Sequence, residues 1–286
     1  VTAGVYLLAR CAPLFAMAPD AQIVVSWIGG ITALLAAFIA LAQTDLKRIL
    51  AYSTVSQLGF MFMALGTSGA ISPAFAVGAA MFHLFTHAFF KALLFLGSGS
   101  VMHAMGNVID VRQFGGLRKV MPITHLTFLC GAAALAGVPL LSGFWSKDQI
   151  FEALTEAGES GNPYRASYLA LFGVACLTAF MTAFYTFRAY FLTFWGPLRV
   201  PAEADHAHGD HAHDHGHDGH DSGHGHGKKH MERDSTHPKA SYESPSVMTV
   251  PLMVLAVFAL GVGALLAGPH TLKAVKALSF AHFVEA

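Results

Sequence analysis

Charged side chains are scarce in this sequence of 286 residues. Asp, Glu, Lys and Arg make up only 12% of it, whereas 54% of the residues are hydrophobic and the mean hydropathy is +0.52. Because a soluble globular domain carries about 25% charged residues, this composition excludes an ordinary soluble fold. The 17 basic residues balance 17 acidic ones, and no basic tract is large enough to indicate nucleic-acid binding. We therefore predict an all-α, polytopic protein embedded in the lipid bilayer.

Cysteine is scarce too, and the three cysteines, Cys11, Cys130 and Cys176, are far apart in the sequence. They form no CxxC pair, no iron–sulfur pattern and no disulfide framework. The sequence also shows no motif for binding NADH, flavin or quinone. We therefore expect no cofactor and no redox centre on this chain.

Apolar runs predict a transmembrane helix bundle of about six complete spans, preceded by a helix stub over residues 1–9. A membrane-spanning helix needs about 20 apolar residues. The predicted spans lie near residues 23–42, 45–66, 75–106, 123 onward, 167–195 and 247–267. We divide the chain into membrane helices over 1–197, a loop over 198–246, and a last membrane helix with a tail over 247–286. Since the chain starts inside an apolar run, we expect it to be a fragment of a longer protein.

Three ionisable residues lie near the middle of the longest apolar run. His83, His87 and Lys91 are spaced i, i+4 and i+8, so they share one face of a helix and extend about 12 Å along it. A lysine at the bilayer centre costs about 3 kcal/mol on insertion scales, and such residues usually mark ion or proton pathways. A structural ion pair for the lysine, with neighbouring helices satisfying the histidines, is the alternative.

The run that begins near residue 123 is expected to contain one broken helix. Pro139 removes a backbone donor, and Gly137 and Gly143 loosen the chain on either side of it. Just beyond the predicted break lies Lys147, with Ser146 and Asp148 beside it as the expected supporting polar residues. Broken helices in membrane proteins often form ion sites, which makes Lys147 a second candidate proton carrier. The alternative is that Lys147 extends to the membrane interface.

The loop over 198–246 contains a histidine-rich, low-complexity tract that we expect to be disordered. Basic residues concentrate in this loop and in the loops near residues 47 and 112–119, which places them in the cytoplasm by the positive-inside rule. Imidazoles beside aspartates favour weak metal binding without fixed geometry. The candidate weak ligands are His206, His208, His211 and His213.

Three segments resemble the antiporter-like membrane family that respiratory complex I shares with the Mrp-type sodium/proton antiporters. They read DLKRILAYSTVSQLGFM, HLFTHAFFKALLFLGSGSV and AGVPLLSGFWSKDQI. The GFWSKD form is similar to that of the L-type subunits of proton-pumping NADH:quinone oxidoreductase. The resemblance covers most of residues 1–195 and the final span, but not the histidine-rich loop.

The resemblance implies a fold of two inverted five-helix repeats, of which this chain would carry the second. It implies that Lys147 is the lysine of the broken helix and Lys91 the lysine of the preceding helix. His83 and His87 would be the histidines that bridge the half-channels. The first repeat and the long lateral helix of the family are missing here, so we expect that this fragment alone could not pump protons.

The implied function is proton translocation by a membrane subunit of NADH:quinone oxidoreductase in the bacterial inner membrane. Its partners would be the M- and N-type membrane subunits, with quinone bound elsewhere in the complex. An Mrp-type antiporter A subunit is the main alternative, and a stator without proton traffic is another. A metal-ion transporter would explain the histidine-rich loop, but Lys91 and Lys147 would repel a cation inside the membrane.

Overall fold

The computed structural model describes residues 2–201 and 242–267, and their regular structure is helical. The α-helices are α1 (Thr2–Arg10), α2 (Ala12–Ala16), α3 (Pro19–Ala42), α4 (Leu46–Leu65), α5 (Pro73–Ala104), α6 (Pro122–Ala136), α7 (Ser142–Glu159), α8 (Arg165–Phe194) and α9 (Ser246–Ala267). One 3-10 turn, Leu117–Lys119, precedes α6. The prediction of an all-α bundle is confirmed. The histidine-rich tract and the tail after α9 lie outside the described residues.

The described helices make six passages, as the apolar runs predict. Four of them, α3, α5, α8 and α9, are long and apolar enough to span a bilayer. Helix α4 has the length, 20 residues, but it is more polar because it contains Ser53, Ser56 and Gln57. These three side chains face the bundle interior. Helices α6 and α7 together form the sixth passage, which is interrupted between them. The expectation of one broken helix is therefore confirmed, and the chain is a multi-pass membrane protein.

The loops separate into two ends of the bundle. Backbone bridges join Asp45 to Asp110 and Gly115 to Arg199, so three loops meet at one end. This end, which we call the basic end, carries Lys47, Arg48, Arg112, Arg118, Lys119 and Arg199. At the opposite end the Tyr168 hydroxyl donates to the Gly66 carbonyl at 3.0 Å. The segregation of basic residues that the sequence indicates is therefore present in the fold.

The last membrane helix is held at the basic end by the residues that precede it. The Glu243 carboxylate accepts a hydrogen bond from the backbone N–H of Ile123 at 2.7 Å, and it also bonds the Thr124 hydroxyl. These are first-turn groups of α6, so Glu243 caps that helix from a distant part of the chain. The Ser244 and Ser100 hydroxyls are 2.7 Å apart and tie the same segment to α5.

Helices α3 and α4 pack closely through glycine. A Cβ atom built on Gly29 would lie 2.7 Å from the Gly59 carbonyl oxygen, and one built on Gly59 would lie 2.5 Å from the Gly29 carbonyl oxygen. Any larger residue at either position would push the two backbones apart. Gly29 and Gly59 therefore permit the close approach of α3 and α4.

We predict that Gly59→Ala destabilises the complete protein by about 1–3 kcal/mol through overpacking. Gly173→Ala on α8 is the matched control, since nothing lies within 4 Å of a Cβ at that position. Alanine is the better helix former, so the control should leave stability unchanged or raise it. The thermal unfolding midpoints of the purified variants measure the difference, and equal midpoints would contradict the predicted contact.

Candidate functional site

The break between α6 and α7 exposes a single backbone carbonyl to a lysine. In a continuous helix the Leu135 carbonyl would accept from the N–H of residue 139, but that residue is Pro139 and has none. Lys147 Nζ donates to this carbonyl instead, at 2.6 Å. Gly137, with φ +82°, ends α6 in the left-handed region, and Leu140 has φ +73°. The backbone thus departs from helix over a short stretch, and Lys147 fills the gap.

Gly143 does not loosen the break, contrary to the prediction from sequence. It lies inside α7, where a Cβ atom would be 1.9 Å from the Ala134 carbonyl oxygen. Its role is to let the start of α7 pack against the end of α6. Helix α9 also holds the start of α7, because the Ser142 hydroxyl donates to the Ala259 carbonyl at 2.6 Å. The break is therefore a packed, defined structure.

His83 joins three helices through its ring. Its Nδ1 lies 2.8 Å from Ser146 Oγ on α7, and its Nε2 lies 3.1 Å from Gln57 Oε1 on α4. The Thr86 hydroxyl donates to the same serine oxygen at 3.0 Å. Both ring nitrogens of His83 thus have partners, and Ser146 lies next in sequence to Lys147. This arrangement connects the histidine stripe of α5 to the broken helix.

Lys91 extends in a different direction, toward α4. Its Nζ donates to the Leu50 carbonyl at 2.9 Å and also bonds Ser53 Oγ. Lys91 and Lys147 are 5% and 3% exposed, so neither reaches the surface of the described part of the chain. Among residues 2–201 and 242–267, no carboxylate forms a salt bridge with either lysine. The ion-pair and interface alternatives therefore find no support in this part of the chain.

His87 lies between His83 and Lys91. Its ring centroid is 6.2 Å from that of His83, and it interacts electrostatically with Lys91, His83 and Lys147. The ring is 4% exposed, and its Nε2 has no hydrogen-bond partner among the described residues. The structure thus brings together the four ionisable residues that the sequence indicated, with His87 at the centre.

Asp148 does not belong to this group. Its neighbours Ser146 and Lys147 are buried, whereas Asp148 is exposed on the outer face of α7. Successive helical residues are about 100° apart around the axis, so adjacency in sequence does not place the two side chains together. The expectation that Asp148 supports the site together with Ser146 holds only for Ser146 in the geometry seen here.

Two polar residues near the site, Thr86 and Tyr185, were missed by sequence reasoning. Tyr185 of α8 is fully buried, with its hydroxyl 3.5 Å from Thr182 Oγ1 and close to the side chains of Ser53 and Gln57. A signal existed, because Thr178, Thr182, Tyr185 and Thr186 follow helical spacing in an otherwise apolar segment. The spacing of Thr86, three residues after His83, gave a similar signal.

Metal-binding geometry is not seen in the described parts of the chain. Within residues 2–201 and 242–267, no three His, Cys, Asp or Glu side chains group as metal ligands would. The candidate weak ligands His206, His208, His211 and His213 lie outside the described residues. Weak metal binding by the histidine-rich loop therefore stays a prediction.

Comparisons with known proteins agree with this architecture. The family model described as NADH:quinone oxidoreductase/Mrp antiporter, transmembrane, matches residues 1–162. Subunit 5 of an NAD(P)H-quinone oxidoreductase from Paulinella chromatophora is 46% identical, over 90% of this chain and 35% of the relative. Subunit L of the NADH-quinone oxidoreductase from Rhodobacter capsulatus is 42% identical, over 94% of this chain and 32% of the relative.

A solved structure of an Mrp complex from Dietzia sp. DQ12-45-1b has a similar fold. It matches with a TM-score of 0.69 and 29% sequence identity, covering 99% of this chain and 25% of that one. The chain spans about a third of the length of the curated relatives it matches. With more than half of its residues matched by the family model, the chain belongs to the transmembrane family of NADH:quinone oxidoreductase and Mrp antiporter subunits.

Proposed function

We propose that this chain is part of a proton-translocating membrane subunit of NADH:quinone oxidoreductase, corresponding to the second repeat of an L-type subunit. The observation that carries the proposal is the site at the helix break. There Lys147 occupies the carbonyl freed by Pro139, and the preceding residue, Ser146, bonds His83. The names and identities of the relatives, 46% and 42%, support the oxidoreductase assignment.

The two lysines suit proton exchange because of the groups that accept their hydrogen bonds. A lysine paired with a carboxylate is strongly held in its charged form. Lys91 and Lys147 are held by neutral carbonyl and hydroxyl oxygens instead, so their charge depends on the charges nearby. A proton arriving on one of these groups raises the cost of a proton on the others. Such coupling is what a stepwise proton pathway needs.

The proposed route starts at the basic end and follows the polar face of α4. Ser53, which bonds Lys91, and Gln57, which bonds His83, are one helical turn apart on this face. From Lys91 the proton passes to His87, then to His83, and through Ser146 to Lys147. Histidine suits the middle of the route because one ring nitrogen can receive a proton while the other releases one.

His87 is the moving part of this route in our proposal. A buried polar nitrogen without a partner is costly, so the Nε2 of His87 gains from ring rotation or from a water molecule. Either change would complete the connection between Lys91 and His83. Ser146 and Gln57 hold the His83 ring in place at the other side.

The driving energy comes from outside this chain. Quinone reduction elsewhere in the complex would change the charge of neighbouring M- and N-type subunits, and this change would reach Lys91 and Lys147 electrostatically. Neither a cofactor nor a redox centre on this chain is needed for that mechanism. By the positive-inside rule, we propose that the basic end and the histidine-rich loop lie in the cytoplasm of a bacterial cell.

An Mrp-type sodium/proton antiporter A subunit is the second candidate, favoured by the similarity to the Dietzia Mrp complex. The lower identity to that structure, 29% against 46% and 42% for the oxidoreductase subunits, favours the first candidate. The identity of the neighbouring genes distinguishes the two. A metal-ion transporter fits poorly, because the buried group holds two lysines and includes no carboxylate.

We predict that Lys147→Ala or Lys91→Ala, made in the complete subunit within its assembled complex, slows proton transfer through this route about 100-fold or more. Quinone reduction measured in detergent should continue. Pumping by proteoliposomes, followed with a pH-sensitive dye, checks the prediction. Lys119→Ala is the matched control, since Lys119 is exposed at the basic end. Normal pumping with both buried lysines replaced would remove the proposed pathway.

Ser146→Ala should slow pumping while Lys147 is still present. The change leaves His83 Nδ1 without its partner, and an unpaired buried polar group costs about 1–3 kcal/mol. Ser146→Thr keeps the hydroxyl and should restore much of the rate. Ser160→Ala, at the other end of α7, is the control because the Ser160 hydroxyl donates to the Ala157 carbonyl of the same helix. If the Ser146→Ala and Ser146→Thr complexes both pump as fast as the unmodified complex, Ser146 is not part of the route.

A further inference from the structure

A cavity opens at the basic end, between the loop over residues 111–116 and the last turn of α8. Its volume is about 350 Å³, and its lining combines two arginines, Arg112 and Arg199, with the apolar side chains of Phe191, Leu192 and Trp195. The proposed proton pathway does not use this cavity. Its lining, which combines positive and aromatic side chains, resembles the chemistry of a membrane interface.

The cavity has a fixed backbone frame. Arg199 N donates to the Gly115 carbonyl at 3.0 Å, and Gly115 N donates to the Arg199 carbonyl at 3.3 Å. Gly116, with φ +69°, lets the two segments approach, because a Cβ there would lie 2.7 Å from Leu198 N. The Trp195 side chain is held in place as well, because the Arg118 guanidinium lies 4.0 Å from its ring centroid.

The two arginines differ in how far their charge is compensated. Arg112 forms a salt bridge with Asp110 at 2.6 Å, and hydrogen bonding from Arg112 lowers the pKa of the Asp110 carboxyl. Arg199 forms no salt bridge with any carboxylate among residues 2–201 and 242–267. One lining guanidinium, that of Arg199, is therefore available to an anion from outside the described chain.

An exposed apolar stripe runs from the cavity along α8 toward the middle of the membrane. It consists of Leu177, Phe180, Phe184, Phe191 and Trp195, which are between 43% and 70% exposed. Their spacing keeps them on one face, and the stripe is about 27 Å long. Arg188 lies on the same face, where it is half-buried and donates to the Gln43 carbonyl at 3.0 Å. The part of the stripe from Trp195 to Phe184, about 16 Å long, matches the depth of one leaflet, which is half of a hydrocarbon core about 30 Å thick.

We propose that this cavity binds the phosphate headgroup of an anionic phospholipid, with the acyl chains lying along the α8 stripe. Guanidinium groups match phosphate oxygens in geometry and charge, and basic pockets at the cytoplasmic side of membrane helices bind such headgroups. The adjoining stripe is why a lipid fits better than free phosphate, which would gain nothing from exposed Phe180 and Phe184.

The test uses the complete subunit in its assembled complex, stripped of lipid with detergent. Binding of phosphatidylglycerol, phosphatidylcholine and inorganic phosphate is measured by native mass spectrometry and by titration. We expect the complex to prefer phosphatidylglycerol, and Arg199→Gln to weaken its binding about fivefold. Arg112→Gln is a second variant that should weaken it in the same direction.

Two control variants separate a built site from general attraction. Lys119→Gln removes an exposed charge at the same end, and Arg165→Gln removes one at the other end of α8. Both should bind phosphatidylglycerol like the unmodified complex. Equal weakening by Lys119→Gln and Arg199→Gln, or no preference over phosphatidylcholine, would overturn the proposal.

A variant in the apolar stripe distinguishes lipid binding from phosphate binding. Phe184→Ser should weaken phosphatidylglycerol binding and leave any binding of inorganic phosphate unchanged. Unaltered thermal unfolding of each variant shows that the fold is retained. If phosphate binds as tightly as the lipid and Phe184→Ser changes neither, the cavity is a free-anion site and the lipid proposal is wrong.

Discussion

The hydrogen bond from Lys147 to the Leu135 carbonyl is the interaction on which the site depends. It exists because Pro139 has no N–H to occupy that carbonyl. The freed carbonyl gives the Lys147 ammonium an acceptor in the bundle interior, where an unsatisfied polar group is costly. One proline thus creates both the break in the helix and the acceptor for the lysine. The packing of Gly143 on Ala134, and of Ser142 on α9, holds the break in place.

Helix α4 is the most polar of the long passages, and its polar groups also have partners inside the bundle. Its hydroxyl and amide groups would be unfavourable against lipid, but they lie inside and act as partners for α5. Ser53 bonds Lys91 and Gln57 bonds His83, so one face of α4 provides partners for both ends of the ionisable stripe. The close contact of Gly29 with Gly59 keeps the opposite side of α4 tight against α3.

Sequence alone predicted the helices, the break and the shared face of His83, His87 and Lys91, since these follow from local hydropathy, proline chemistry and helical spacing. It could not assign the partners across helices, such as Ser146 for His83, because those depend on how each helix is rotated in the bundle. Asp148 was wrongly grouped with Lys147 for the same reason. The cap that Glu243 places on α6 joins residues about 120 positions apart, and no local pattern announces such a contact.

The central claim is that two buried lysines and two histidines form one hydrated seam within the complete complex. The most direct measurement is a cryo-electron microscopy structure of that complex at a resolution that shows ordered water. We predict that Lys147 Nζ contacts the Leu135 carbonyl and that water links His87 to Lys91. Density showing either lysine directed at acyl chains, with a dry, apolar gap between His87 and Lys91, would contradict the claim.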